Sequence, residues 1–180
     1  MMRLVRSSLP WVLRGFAAGF AGTVAMTLAY AVERRVRERT GDVSGGDVLD
    51  REPLDYDDSL VPGQIVASVL HLPSVTPRGD YDLGMMLRWG YGSAFGVAHV
   101  ALRRMIREPY ASLAFGGMLM SATFSLFPLL GRTPPPWRWP AAMLATSLGT
   151  HAAYVTTVAI VDGALGAGRG PASERGSSIG

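Results

Sequence analysis

The stretch "GFAAGFAGTVAMTLAYAV", residues 15–32, contains no Asp, Glu, Lys or Arg over 18 positions and places Gly15, Gly19 and Gly22 at helical spacing. Two more such stretches follow: residues 109–131 and 139–161 are free of charge for 23 positions each. A helix needs about 20 mostly apolar residues to cross the hydrocarbon core of a bilayer. In lipid the backbone must satisfy its own hydrogen bonds, which favours continuous helices. A fourth segment, around 83–104, is interrupted inside by Arg88 and holds His99. The expected fold is all-α: a polytopic transmembrane helical bundle of about four spans, near 11–33, 83–104, 109–130 and 139–162, plus a short interfacial helix.

Composition agrees. The 180 residues are 48% hydrophobic and only 17% charged, against about 25% charged in a typical soluble domain, and the mean hydropathy is +0.21. All 17 basic residues are arginine, which fits a coding bias. No basic run is interleaved with aromatics outside an apolar context, so nucleic-acid binding is not expected. The lack of cysteine removes disulfides, thiolate metal sites and thiol redox chemistry.

Between the first two spans, "TGDVSGGDVLDREPLDYDDSL", residues 40–60, carries seven acidic residues against one Arg, with Gly45, Gly46 and Pro53 as breakers. It reads as a loop outside the bilayer, and Asp55, Asp57 and Asp58 lack the spacing of a calcium loop. "VPGQIVASVLHLP", residues 61–73, is too short to cross; Ile65, Val66, Val69 and Leu70 share a helical face, giving the interfacial helix within 40–81. "RTPPPWRWP", residues 132–140, breaks the neighbouring helices and puts Trp137 and Trp139 at an interfacial belt. Residues 1–163 then form one membrane domain, and the Gly/Ser-rich 164–180 a disordered tail.

Ala29-Tyr30-Ala31 has the Ala-x-Ala form of a signal-peptidase site. Signal peptides have apolar cores of about 7–15 residues, shorter than this one, so a retained span is expected. Four spans put the N-terminus, the short loop "RRMIR" at 103–107 and the C-terminus on one side. The positive-inside rule weights short loops most, which places both termini in the cytoplasm of a bacterial cell, although "ERRVRER" at 33–39 opposes it.

Small residues four apart let lipid-embedded helices approach closely. Span one offers Gly15, Gly19 and Gly22; span two Gly92 and Gly96; span three Gly117, Ser121 and Ser125; span four Ala145, Gly149 and Ala153. The expected use is intramolecular packing, with a homo-oligomer face as the alternative. Polar groups form a second pattern. Arg88, Gly92, Phe95, Gly96, His99 and Arg103 fall on one stripe of span two, and Ser147, His151, Tyr154 and Asp162 on one row of span four. Ionisable groups in a bilayer usually face protein or water, so His99 and His151 are candidates to face each other across a polar interior with Tyr154 and Ser147. Structural hydrogen bonding to hydroxyls or carbonyls is their expected role; proton relay, metal ligation or a quinone carbonyl are the alternatives. Arg14 and Arg88 are expected to snorkel to phosphate level. No catalytic constellation, metal set or cofactor motif is present in the pattern.

"AGFAGTVAMT", "PGQIV", "WGYGSAFGVAHVAL" and "LGTHAAYVTTVAIV" are similar to segments of small bacterial inner-membrane proteins of unknown function, the YagU-like group. The resemblance implies a multi-pass plasma-membrane protein and supplies no catalytic residues. The expected function is a non-enzymatic structural, accessory or stress-related bundle whose partner is the lipid bilayer. The alternatives are an oligomeric transport or proton-conducting element, and a membrane enzyme or quinone site.

Overall fold

The computed structural model describes residues 2–40, 65, 69–71, 77–130 and 134–167. Among them are four α-helices and no strand: α1 Met2–Thr40, α2 Pro77–Arg103, α3 Tyr110–Leu130 and α4 Ala141–Ala167, with a 3-10 turn Pro136–Arg138 before α4. Three contain segments long and apolar enough to cross a membrane, namely Trp11–Val36 of α1, the whole of α3, and Ala141–Gly166 of α4. The expected fourth span lies in α2, which is not in that class; its sequence carries Arg78, Asp80, Asp82, Arg88 and Arg103.

The helices run longer than the expected spans. α1 extends through "ERRVRER" to Thr40, and α2 starts at Pro77, six residues before 83, with a proline suited to a first helical turn. α4 continues to Ala167, so residues 164–167 are helical rather than tail. Most of the acidic loop and interfacial segment, and the tail after 167, lie outside the described residues. Of that segment, Ile65 and Val69 are helical, and Val69 and Leu70 are exposed.

Contacts fix the topology. Gly15 meets Val97, Gly19 meets Gly92 and Ser93, and Tyr30 lies beside Arg88, so α2 runs antiparallel to α1. Arg14 pairs with Asp162, Gly22 meets Tyr154, and Glu33 bonds Thr146, so α4 is antiparallel to α1 as well. On α3, Ser112 meets His99 of α2 and Thr123 meets His151 of α4. The order is up-down-up-down, with α1 and α3 each wedged against both α2 and α4.

The α1–α2 seam is glycine against glycine. A Cβ at Gly96 would lie 2.5 Å from the Cα of Gly19, and one at Gly19 would lie 2.7 Å from the Gly92 carbonyl oxygen. Such distances are far inside carbon contact distance, so both GxxxG faces need hydrogen where other residues carry Cβ. Gly15 and Gly22 are likewise filled, by Val97 and by Tyr154 with Val158. Gly117 and Gly149 correct the expectation: nothing lies within 4 Å of a Cβ built on either, because both face outward.

The interior is small and polar and the exterior apolar. Buried residues include Thr23, Arg88, His99, Thr123, Ser147, Thr150 and Asp162, packed around Ala18, Phe115, Tyr154 and Val158. Phe20, Leu28, Leu113, Met118, Leu129 and Ile160 are exposed. In the most apolar windows of α1, α3 and α4 only 28%, 11% and 22% of residues are buried, so most of each apolar surface points away from the protein. Trp139 also departs from expectation. It is buried, donates its Nε1–H to the Pro134 carbonyl at 2.7 Å, and packs edge-on to Phe124, leaving Trp137 as the exposed ring.

Candidate functional site: the buried polar network

At the end of the fold where α1 enters and α4 leaves, all four helices contribute to one charged cluster. Asp162 of α4 is 1% exposed, with Oδ1 2.7 Å from Arg14 Nε of α1 and Oδ2 2.5 Å from Arg103 Nη1 of α2. Arg103 continues to Glu108 in the α2–α3 loop, Nε to Oε1 at 3.1 Å. Glu108 folds over the start of α3, accepting from the Ser112 hydroxyl at 2.9 Å and the Ser112 N–H at 3.2 Å. That contact caps one of the free N–H groups at the helix start. Two guanidinium groups and two carboxylates make the set formally neutral. Removing one partner of such a buried group leaves an uncompensated charge, which costs several-fold more than the pair contributes.

His99 hangs from the edge of this network. Its Nε2 is 3.1 Å from Ser112 Oγ and 3.5 Å from Glu108 Oε1. The single Ser112 proton goes to Glu108, so the serine oxygen accepts, and His99 Nε2 is the nitrogen carrying hydrogen. The other nitrogen, Nδ1, is buried with no hydrogen-bond partner among the described residues. The ring stacks edge-on against Phe115, centroids 5.2 Å apart.

His151 is satisfied elsewhere. Nδ1 stands 2.8 Å from the Ser147 carbonyl one turn back, which can only accept, so Nδ1–H donates and Nε2 takes a hydrogen bond from the Thr123 hydroxyl at 3.3 Å. The partners of the two histidines, Ser112 and Thr123, are on one face of α3 and eleven residues apart, about 16 Å at 1.5 Å per residue. The two rings therefore occupy different levels of the interior. Tyr154 lies between those levels and donates to the Gly92 carbonyl oxygen at 2.5 Å, tying α4 to α2.

Known proteins give no lead. The chain matches no family model, no curated protein and no solved structure.

The arrangement therefore rests on its own chemistry. Of the sequence-level candidates, His99, His151, Tyr154 and Ser147 are all on inward faces, but the structure does not bring them to one centre. Arg14 and Arg88 do not snorkel. Arg14 reaches Asp162 in the interior, and Arg88 is 5% exposed with its Cζ 4.8 Å from the Tyr30 ring centroid. The members that sequence reasoning missed are Glu108 and Ser112. Their signal was Asp162 itself, a carboxylate at the end of an apolar span, calling for arginines from neighbouring helices at the same depth. Among the described residues no group of three or more His, Cys, Asp or Glu is placed to hold a metal ion.

Proposed function

We propose that this chain is a multi-pass protein of the bacterial plasma membrane, with four spans, both termini in the cytoplasm, and a structural or accessory role without catalysis. The resemblance to YagU-like proteins belongs to the same proposal. The observation that carries it is the inverted surface: large apolar side chains point outward along α1, α3 and α4 while arginine, aspartate and threonine are enclosed. In water that surface would cost about 25 cal/mol for each Å² of apolar area left uncovered; lipid removes the penalty. α2 joins as the fourth span because its arginines at 88 and 103 are held inside against Tyr30 and Asp162. The start of α1, the end of α4 and the 104–109 loop fall at one end, where Arg103, Arg104 and Arg107 give the short loop its positive charge.

The test is membrane fractionation with topology mapping. The protein resists alkaline carbonate extraction, and reporters at the N-terminus, at 105–107 and at the C-terminus share the cytoplasmic side, opposite a reporter within 41–60. Release by carbonate, or reporters on α1 and the 105–107 loop falling on opposite sides, would overturn the proposal.

A second reading, a proton-conducting oligomer, draws on the chain of hydrogen bonds from His99 through Ser112 to the half-buried Glu108. That chain spans one end of the protein only, and the level of His151 is separate from it. The structural role is the better supported.

A further inference from the structure

Arg88 has no obvious reason to be where it is. Its guanidinium is almost wholly enclosed, and among the described residues no ion pair or hydrogen bond to it is found. The ring of Tyr30 covers one face at 4.8 Å. A cation–π contact contributes about 0.5–2 kcal/mol, and burying a lone charge costs well beyond that. Glu33, one turn along α1 from Tyr30, accepts a hydrogen bond from Thr146 at 3.2 Å. Here the contrast with Arg14 and Arg103 is direct, since both of those have carboxylates.

A second unmet group lies at the same depth. Ser147 is 3% exposed and its Oγ is buried without a hydrogen-bond partner among the described residues. The Tyr154–Gly92 bond sets the register between α2 and α4. Arg88 is one turn from Gly92 and Ser147 two turns from Tyr154, in the same direction and on the inward stripes of their helices. Ser147 is six residues inside the start of α4, about 9 Å from that end of the fold. A cation without an ion pair and a hydroxyl without a hydrogen-bond partner, both judged among the described residues, thus lie at one level of the fold. Stacking on Tyr30 occupies a face of the guanidinium and leaves its in-plane N–H edge to bind, the geometry that grips oxyanions in a fork. Donors arriving from two helices suit a tetrahedral acceptor better than a planar one.

We infer that Arg88, stacked on Tyr30 and level with Ser147, is the cationic half of an oxyanion site that takes a phosphate group, carried by a lipid headgroup or free in solution. This goes beyond the structural role above and does not depend on it.

The test is calorimetric titration of the full chain in a neutral detergent with inorganic phosphate, with acetate and chloride as controls. Parallel melting curves are taken in the same phosphate-free neutral detergent with and without added phosphatidylglycerol. Wild type binds phosphate or is stabilised by phosphatidylglycerol, the responding arm naming the source. Arg88→Gln abolishes the response, Arg88→Lys weakens it about tenfold by losing the fork, and Ser147→Ala weakens it about threefold. If Arg88→Gln fails to fold, the Arg88→Lys and Ser147→Ala affinities decide. No response of wild type in either arm, acetate binding in preference to phosphate, or an undiminished response in the variants overturns the assignment.

Discussion

Gly19 and Gly96 sit against each other with no room for a side chain on either. A methyl on Gly96 would stand 2.5 Å from the α-carbon of Gly19. The neighbour on both sides is backbone, so relief requires the helices to separate. Gly96→Ala is expected to destabilise the protein by about 1–3 kcal/mol, and Gly96→Leu to prevent the α1–α2 contact altogether. Gly117→Ala and Gly149→Ala, with open space around the new methyl, should leave the melting temperature unchanged or slightly raised, as alanine favours helix over glycine by about 1 kcal/mol. Thermal unfolding in detergent separates the two classes. An equal loss from all four substitutions would count against the interlocked seam.

Asp162 holds arginines from two other helices. Replacing it with asparagine leaves Arg14 without a carboxylate and Arg103 with Glu108 alone, and a loss of about 3 kcal/mol is expected, within the range for a broken buried pair. Glu108→Gln, at a half-exposed position, should cost about 1 kcal/mol or less. The measurement is the denaturation midpoint of each variant; a larger loss from Glu108→Gln would reverse the ranking.

Tyr154→Phe removes the hydroxyl that satisfies the Gly92 carbonyl while keeping the ring against Phe115 and Gly22. The expected loss is about 1 kcal/mol, since one buried inter-helix hydrogen bond goes while the carbonyl keeps its donor within α2. The same stability assay checks it, and a neutral substitution would show that the tie between α2 and α4 adds nothing to stability.

The separation of the histidine levels gives a functional expectation. His99→Gln can keep a donor toward Ser112, and His151→Gln one toward Ser147 or Thr123, each at a cost of about 1 kcal/mol. Proteoliposomes carrying wild type or the double variant should dissipate an imposed pH gradient at the same rate. A slower loss in the double variant, with the fold intact by circular dichroism, would restore the proton-path reading.

The helices were legible because charge-free length is a local property: residues 15–32, 109–131 and 139–161 announce themselves without knowledge of any contact. The α1–α2 seam was legible for a related reason, as glycines four apart have a face whatever the partner. Gly117 and Gly149 have the same spacing logic but point outward, and which side of an all-apolar helix meets protein cannot be read from an all-apolar sequence. The polar network was half visible. Asp162 and Arg103 stood out at span ends, but their pairing, and the return of Glu108 over Ser112, depend on helix depth and loop path. His99 and His151 both lie on inward faces, as their rows suggested, yet the register of α2 against α4 sets them at different heights.

The partners of Arg88 and Arg103 also bear on how the chain is made. An arginine in the middle of an isolated helix costs about 2.5–3.5 kcal/mol to insert, and of the four helices α1–α4 described, α2 lacks a sufficiently apolar window. Its relief comes from elsewhere in the chain: Tyr30 and the glycine face of α1 are synthesised before it, but Asp162 only after α3 and most of α4. On the membrane reading, α2 would enter lipid as a hairpin with α1 and would become fully settled only when the last helix arrives. Truncation before Asp162 should leave a chain that is inserted yet open to quality-control proteolysis. The final helix thus acts as the lock on a segment made some sixty residues earlier, the separation of Arg103 from Asp162 being 59.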